Sequence, residues 1–233
     1  DARAAPARVN VLSNPIGAVG ADALIEAFEQ NTNLRTLLGI EEGVTEVNLS
    51  NKNVDPGQAK ILAAELQASR AVAVLAHLAV GQNQIGSDGG KTLVEAIKTS
   101  NLESITIGKD LTLPIKGELD SPSLDASNQY INPGDVIILA WWLATPAGAV
   151  VASLNLSGNT ITDWDRDLSG LSALGEAIVP SKTLTSIDLS DCGIEVKGVT
   201  EVAKFISAGA VLASLNLSGN KITDRDRDLS GLV

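Results

Sequence analysis

The 233-residue chain has one cysteine, one histidine, no methionine and only 3% aromatic residues. A single thiol, Cys192, cannot close an internal disulfide, so an intracellular compartment is expected, cytoplasmic or within an organelle after processing. The single histidine, His77, excludes a site that needs a second catalytic imidazole, and any serine nucleophile would have to lie beside it. Scarce rings argue against one large core packed around aromatics. Long hydrophobic runs are also missing: the most apolar stretch, Val136 to Val151, is broken by Pro146 and Gly148 and is too short to span a bilayer. Positive charge is in deficit, with 17 Lys and Arg against 28 Asp and Glu, a formal net charge of -11. Such a field repels phosphate backbones and anionic headgroups, so nucleic acid is not an expected partner and a basic protein is. The opening DARAAPARVN has no apolar centre and no signal-peptide pattern, so the sequence reads as processed, or as part of a longer repeat protein.

What the chain has in quantity is Leu, Ala, Ile and Val, arranged in repeats. VASLNLSGNTITDWDRDLSGL from Val151 returns as LASLNLSGNKITDRDRDLSGL from Leu212, with LTSIDLSDCGI between them from Leu184. Weaker copies begin at Pro6, Val44, Leu75, Leu102 and Ser121, which makes eight units over a single solenoid spanning 1–233. Within each copy, apolar residues at the fourth and sixth positions alternate with polar ones, the period of a strand that buries one face. Leu154 and Leu156 are expected inward, Ser153 and Asn155 outward. The ninth position turns the chain away from the strand and can bond backbone groups of adjacent loops. Asn14, Asn83, Asn159, Cys192 and Asn220 are expected to form that structural ladder. Three N-x-S sequons, at Asn48, Asn155 and Asn216, fall inside the predicted strands and are read as repeat chemistry.

Helical patterns follow the strands, as in GQAKILAAELQAS, GGKTLVEAIKTS and VKGVTEVAKFISAG. Starts at 75 and 102, or 184 and 212, leave room for a strand and a full helix in each unit. Three units depart from this length. Residues 33–42 look like an extra strand-like turn. The unit from 102 to 121 has room for no helix and connects through LTLPIKGEL. The unit at 151 carries a polar insertion, 163–170.

These copies resemble the ribonuclease-inhibitor-like leucine-rich repeat family, especially the irregular multi-repeat proteins of algae and other protists. The resemblance implies an α/β fold, a curved right-handed solenoid with a parallel inner sheet and outer helices. It also implies a non-enzymatic protein that binds another protein, as a scaffold or as a subunit of a larger assembly. The alternative it leaves is a regulator of a partner enzyme, either an inhibitor or a GTPase activator. No cofactor is implied, and no residue role carries over, because contact residues lie outside the repeat motif.

The candidate interaction residues are the outward strand positions Glu46, His77, Asp125 and Asp188, with Asp191 beside them, and the tryptophans Trp141, Trp142 and Trp164. Two adjacent tryptophans on a helix are about 100° apart, so one of Trp141 and Trp142 is expected in the core and the other exposed, next to Ile137 and Ile138. Glu46, His77 and Ser104 supply acid, base and hydroxyl side by side, but a flat strand array offers no nucleophile turn or oxyanion hole. Asp163, Asp165 and Asp167, repeated as Asp224, Asp226 and Asp228, alternate like the carboxylates of a calcium loop. Leu168 stands where that loop needs Gly, and Leu174 where it needs Glu, which leaves weak calcium binding as a minor alternative.

Overall fold

The computed structural model describes residues 7–222. Short strands alternate with helices: α1 (Gly17–Gln30), β1 (Glu46–Asn48), α2 (Pro56–Ala68), β2 (His77–Ala79), α3 (Gly86–Thr99), β3 (Ser104–Ile107), β4 (Leu111–Pro114), β5 (Ser123–Asp125), α4 (Pro133–Leu143), β6 (Ser153–Asn155), α5 (Ser169–Ile178), β7 (Ser186–Asp188), α6 (Val196–Ser207) and β8 (Ser214–Asn216). The strands are short because only the signature residues extend before the chain turns toward its helix. Leu78, Ile105, Leu124, Leu154 and Ile187, at the middle of the signature, are all buried. Pairing keeps equal signature positions side by side, with Glu46 opposite His77 and His77 opposite Ser104. Ser123, Ser153, Ser186 and Ser214 are likewise in register. The architecture is an α/β leucine-rich repeat solenoid, helices on one side of the strands and a polar face on the other.

Local chemistry sets where helices begin. Asp55 and Gln58 form a capping box around Pro56 at the start of α2, and Asn132 and Asp135 do the same around Pro133 for α4. Each box pairs two orphan N–H groups, and proline at the first helical position gives up a hydrogen that had no partner. No helix among the described residues is long and apolar enough to cross a membrane.

The sheet expected to run parallel in unbroken chain order is in fact divided. Strands β1, β2 and β3 are parallel, but β4 folds back antiparallel on β3, with Ile107 opposite Leu111 and Ser104 opposite Pro114. Strands β5 to β8 form a second parallel sheet. The cause is the short unit at 102–121. With no helix to carry the chain back to the next strand start, the chain returns as a strand, through a turn at Gly108, φ +59°. On the helical side that layer is simply left out, and α3 packs directly on α4. Their approach is close: a Cβ at Gly134 would lie 2.5 Å from the Gly86 carbonyl oxygen.

Trp142 is consumed by this junction. It is completely buried, and its indole Nε1 donates to the Pro114 carbonyl at 2.6 Å. Pro114 itself has no N–H, so the outer edge of β4 offers little for another strand to pair with. The expectation that Trp142 docks a partner is therefore corrected. Ile137 and Ile138 are buried as well, and Trp141 is half-buried. A largely apolar helix that fills a missing layer buries most of its circumference, and Trp141 keeps only part of its ring at the surface.

Residues 33–42 bridge to the first unit through Arg8 with Thr36 and Asn10 with Leu38. The N–H groups of Leu37 and Leu38 are taken by the Glu65 carboxylate of α2, at 2.6 and 2.9 Å. Thr36 Oγ1 donates to the same carboxylate.

Candidate interaction surface

On the face turned away from the helices, the fifth signature position has a local job in almost every unit. The side-chain oxygens of Asn48, Asp125, Asn155, Asp188 and Asn216 each accept the N–H two residues on, at 2.8–3.0 Å. These are Asx turns, which end the strand and turn the chain. They give the three sequons a structural cause, since Asn48, Asn155 and Asn216 are the last residues of β1, β6 and β8.

Across β5 to β8 this column reads Asp125, Asn155, Asp188, Asn216. Alternating acid with amide keeps the carboxylates two strands apart, and Asn216 Nδ2 donates to Asp188 at 3.0 Å. The hydroxyl and N–H of Ser127 hold the Asp125 carboxyl below its usual range. Partial burial works against the Asp188 carboxylate, but hydrogen bonds from Ser190 and Asn216 lower its pKa overall. Asp191 follows in the next turn, in left-handed backbone at φ +52°. This half of the strand face therefore carries two carboxylates and no cation at its third and fifth positions, with Asp191 a third carboxylate in the turn beyond β7. In the first sheet, Glu46 and His77 are exposed neighbours, and His77 Nδ1 is 2.9 Å from Ser104 Oγ. The three side chains stand on an open strand face and not in a cleft.

The ladder positions are not equivalent. Asn83 accepts the N–H groups of Lys52 and Val54 and donates to the carbonyls of Leu49 and Val80. Asn159 does the same for Gln129, Ile131, Ala126 and Leu156. Asn220 does so for Cys192, Ile194, Leu189 and Leu217. Each asparagine thus pairs the turn of the unit before it, and the intervening units carry Lys52, Gln129 or Cys192 in the same slot. Cys192 is buried, with its Sγ 3.1 Å from the Leu156 carbonyl, and burial pushes its thiol up to about 12. Such a thiol is not ionised near neutrality and is a poor nucleophile. Asn14 is corrected: it is exposed and bonds only the nearby Val11 and Leu12 carbonyls, since no unit among the described residues precedes it. The first turn is paired instead by Gln58, which reaches the carbonyls of Val11 and Asn14 from α2.

The insertion 163–170 does not gather its carboxylates. Asp163, Trp164 and Asp165 are consecutive left-handed residues, φ +44°, +57° and +61°, so the strand-like alternation that would aim Asp163, Asp165 and Asp167 at one ion is lost. Asp165 turns to the start of α6 and accepts from the N–H groups of Glu195, Lys197 and Gly198 at 2.7–3.0 Å. Asp167 accepts from the Ser87 hydroxyl and the Ser169 N–H. Its partial burial is outweighed by these bonds and by Lys91, which together lower its pKa. Asp163 lies 3.9 Å from Arg166. Among the described residues no group of three potential ligands is placed to hold a metal, which corrects the calcium-loop expectation for this copy. Asp224, Asp226 and Asp228 lie outside the described residues. Trp164 is 48% exposed, with Lys221 Nζ 5.0 Å from its ring centroid and Gly193 beneath it.

Sequence reasoning missed the buried polar groups on helices, among them Gln58, Glu65 and Asp135. A signal was present for Gln58 and Glu65, each three or four residues from apolar positions on the inward stripe of α2, whereas Asp135 reads as an exposed cap. With this geometry in hand, the profile of the family described as Leucine Rich repeat matches residues 74–94, 181–203 and 211–227. These segments hold β2 with the start of α3, β7 with the start of α6, and β8.

Proposed function

We propose that this chain, three segments of which match the leucine-rich repeat family, is a scaffold or complex subunit of the ribonuclease-inhibitor-like class that binds a basic protein. The contact falls on the strand face of β5 to β8 and the adjoining insertion. Repeats of this family generally mediate protein contacts, and the single observation that supports this site is the run Asp125, Asp188 and Asp191. These carboxylates lie on a face of small Ser and Asn side chains that a partner can approach closely. Trp164 supplies what that face lacks, a half-exposed ring at its margin. An indole driven into a partner pocket contributes more than any rim charge, which mainly speeds and steers the encounter.

The test is affinity capture on the immobilised chain, followed by titration of the purified partner. Changing Asp125, Asp188 and Asp191 together to Asn should slow association roughly tenfold and flatten its dependence on salt. Trp164→Ala should raise Kd by about thirtyfold, equivalent to about 2 kcal/mol, mainly through faster dissociation. A partner that binds the triple variant and Trp164→Ala as it binds the parent chain would remove this site.

A further inference from the structure

The short unit that divides the sheet also leaves a mark on the row of turns beyond the strands. Where other units send their chain outward to a helix, this one reverses at Gly108 into β4, so the turn after β2 adjoins the turn after β5. Asn132 Nδ2 closes the floor between them by donating to the Asn83 carbonyl at 2.9 Å. Above that floor a depression of about 500 Å³ is lined by Gln82, Asn83, Gln84, Tyr130 and Asn132. Gln84 and Asn132 also line a neighbouring hollow of about 370 Å³ that runs past Thr160 to Asp163 and Asp167.

The polar groups here divide into two kinds. The amides of Asn83 and Asn132 are used up, the first by the ladder and the second by the cap of α4 and the floor bond. The side chains of Gln82, Gln84 and Tyr130 have no hydrogen-bond partner among the described residues and point to solvent. Tyr130 is 70% exposed, the most exposed ring among them, and its backbone is held in the left-handed region at φ +59°, as Gln82's is at +54°. That conformation is costly for a bulky residue, and the close-packed turns on both sides enforce it.

The lining selects its ligand by elimination. Lined by one ring and four amide side chains, the depression offers a lipid or a greasy side chain no aliphatic residue to pack against, and no cation lines it to hold an anion. Free primary amides suit vicinal hydroxyls: each presents a carbonyl acceptor and an N–H donor side by side, and each hydroxyl can both give and take. The axial C–H face of a pyranose meets the negative face of an aromatic ring. We propose that this notch binds a neutral oligosaccharide, one sugar ring stacked on Tyr130 and its hydroxyls bridged by Gln82 and Gln84, the chain continuing toward Thr160 and the carboxylates.

The test titrates the whole chain with cello-, manno-, xylo- and maltohexaose, followed by calorimetry and by chemical shifts of the glutamine side-chain amides. At least one sugar should bind with Kd below about 1 mM and shift Gln82 and Gln84. Tyr130→Ala should weaken it at least about tenfold, and Tyr130→Phe by less than about threefold. Trp164→Ala, outside the notch, should leave it unchanged, which separates this site from the proposed protein contact. No binding of any of the four sugars up to about 10 mM would overturn the proposal, as would binding indifferent to Tyr130→Ala. Shifts of these amides by a proline-rich peptide and by none of the sugars would overturn it too.

Discussion

Asp135 shows what a single residue carries at the division of the sheet. Its carboxyl is buried beneath the hairpin turn, where the N–H groups of Asn132 and Gly108 reach it, and burial outweighs both bonds and pushes its pKa from 3.8 to about 7. A carboxyl whose folded pKa is raised is better tolerated folded when protonated, so its contribution to stability is lost as pH rises from about 4 to about 7. A shift of this size corresponds to about 4 kcal/mol. Asp135→Asn keeps an oxygen for the Asn132 N–H but does not ionise. Its urea midpoint should therefore change less between pH 5 and pH 8 than that of the parent chain, with the gain at pH 8. Equal slopes for the two proteins would show that Asp135 is not the group responsible. This residue was illegible in the sequence for a physical reason. In PGDVIILAWWL an acid at the first turn reads as an ordinary exposed cap, and only the packing of neighbouring turns over the capping box buries it, as it buries Gln58 at the matching position of α2. Leu154 and Leu156, by contrast, are set by strand period alone, and both are buried as that period requires.

At the scale of elements, α6 has no cap of its own, and the first-turn N–H groups it would leave orphaned are taken by Asp165, thirty residues earlier. A carboxylate there is favoured by the hydrogen bonds and by the helix dipole. Asp165→Ala should cost about 1–2 kcal/mol and speed amide exchange selectively in the first turn of α6. Asp163→Ala, whose carboxylate faces Arg166 at the surface, should cost much less. Equal effects of the two variants, or exchange that accelerates evenly across the chain, would contradict the capping role. The sequence spelled out the spacing of the acids in DWDRD but not their directions. Three successive left-handed residues rotate each side chain away from the next, and nothing in a run of Asp, Trp and Asp requires that conformation. The helices themselves were readable from apolar spacing, and so was the missing helix after 102, from unit length. That the freed chain would pair back on β3 was not, because LTLP fits a strand of either direction.

At the scale of the whole molecule, the described residues form two four-stranded sheets that share one uninterrupted stack of helices. In a solenoid each unit is held mainly by its neighbours, so cooperativity is only as strong as its weakest interface. Between β4 and β5 the backbone ladder is broken, and coupling passes through the glycine-spaced contact of α3 with α4, through Trp142 beneath the hairpin, and through the bonds of Asn132 to Asn83 and of Gln129 to the Asp110 N–H. Trp142→Ala removes a fully buried ring from a layer that has no helix of its own to collapse into the space, and should cost about 3–5 kcal/mol. Trp142→Phe keeps most of the volume and leaves the Pro114 carbonyl without its donor, a loss of about 1–3 kcal/mol. The two variants should also differ in how the chain unfolds. With phenylalanine, denaturant should still melt both sheets together. With alanine, hydrogen exchange should resolve two steps, one for the strands and helices up to β4 and another for those from β5 onward. If Trp142→Ala unfolds in one step with the parent's dependence on denaturant, the junction is held without the tryptophan, by the helices and the turn-to-turn bonds, and the ring serves only to close the edge of β4.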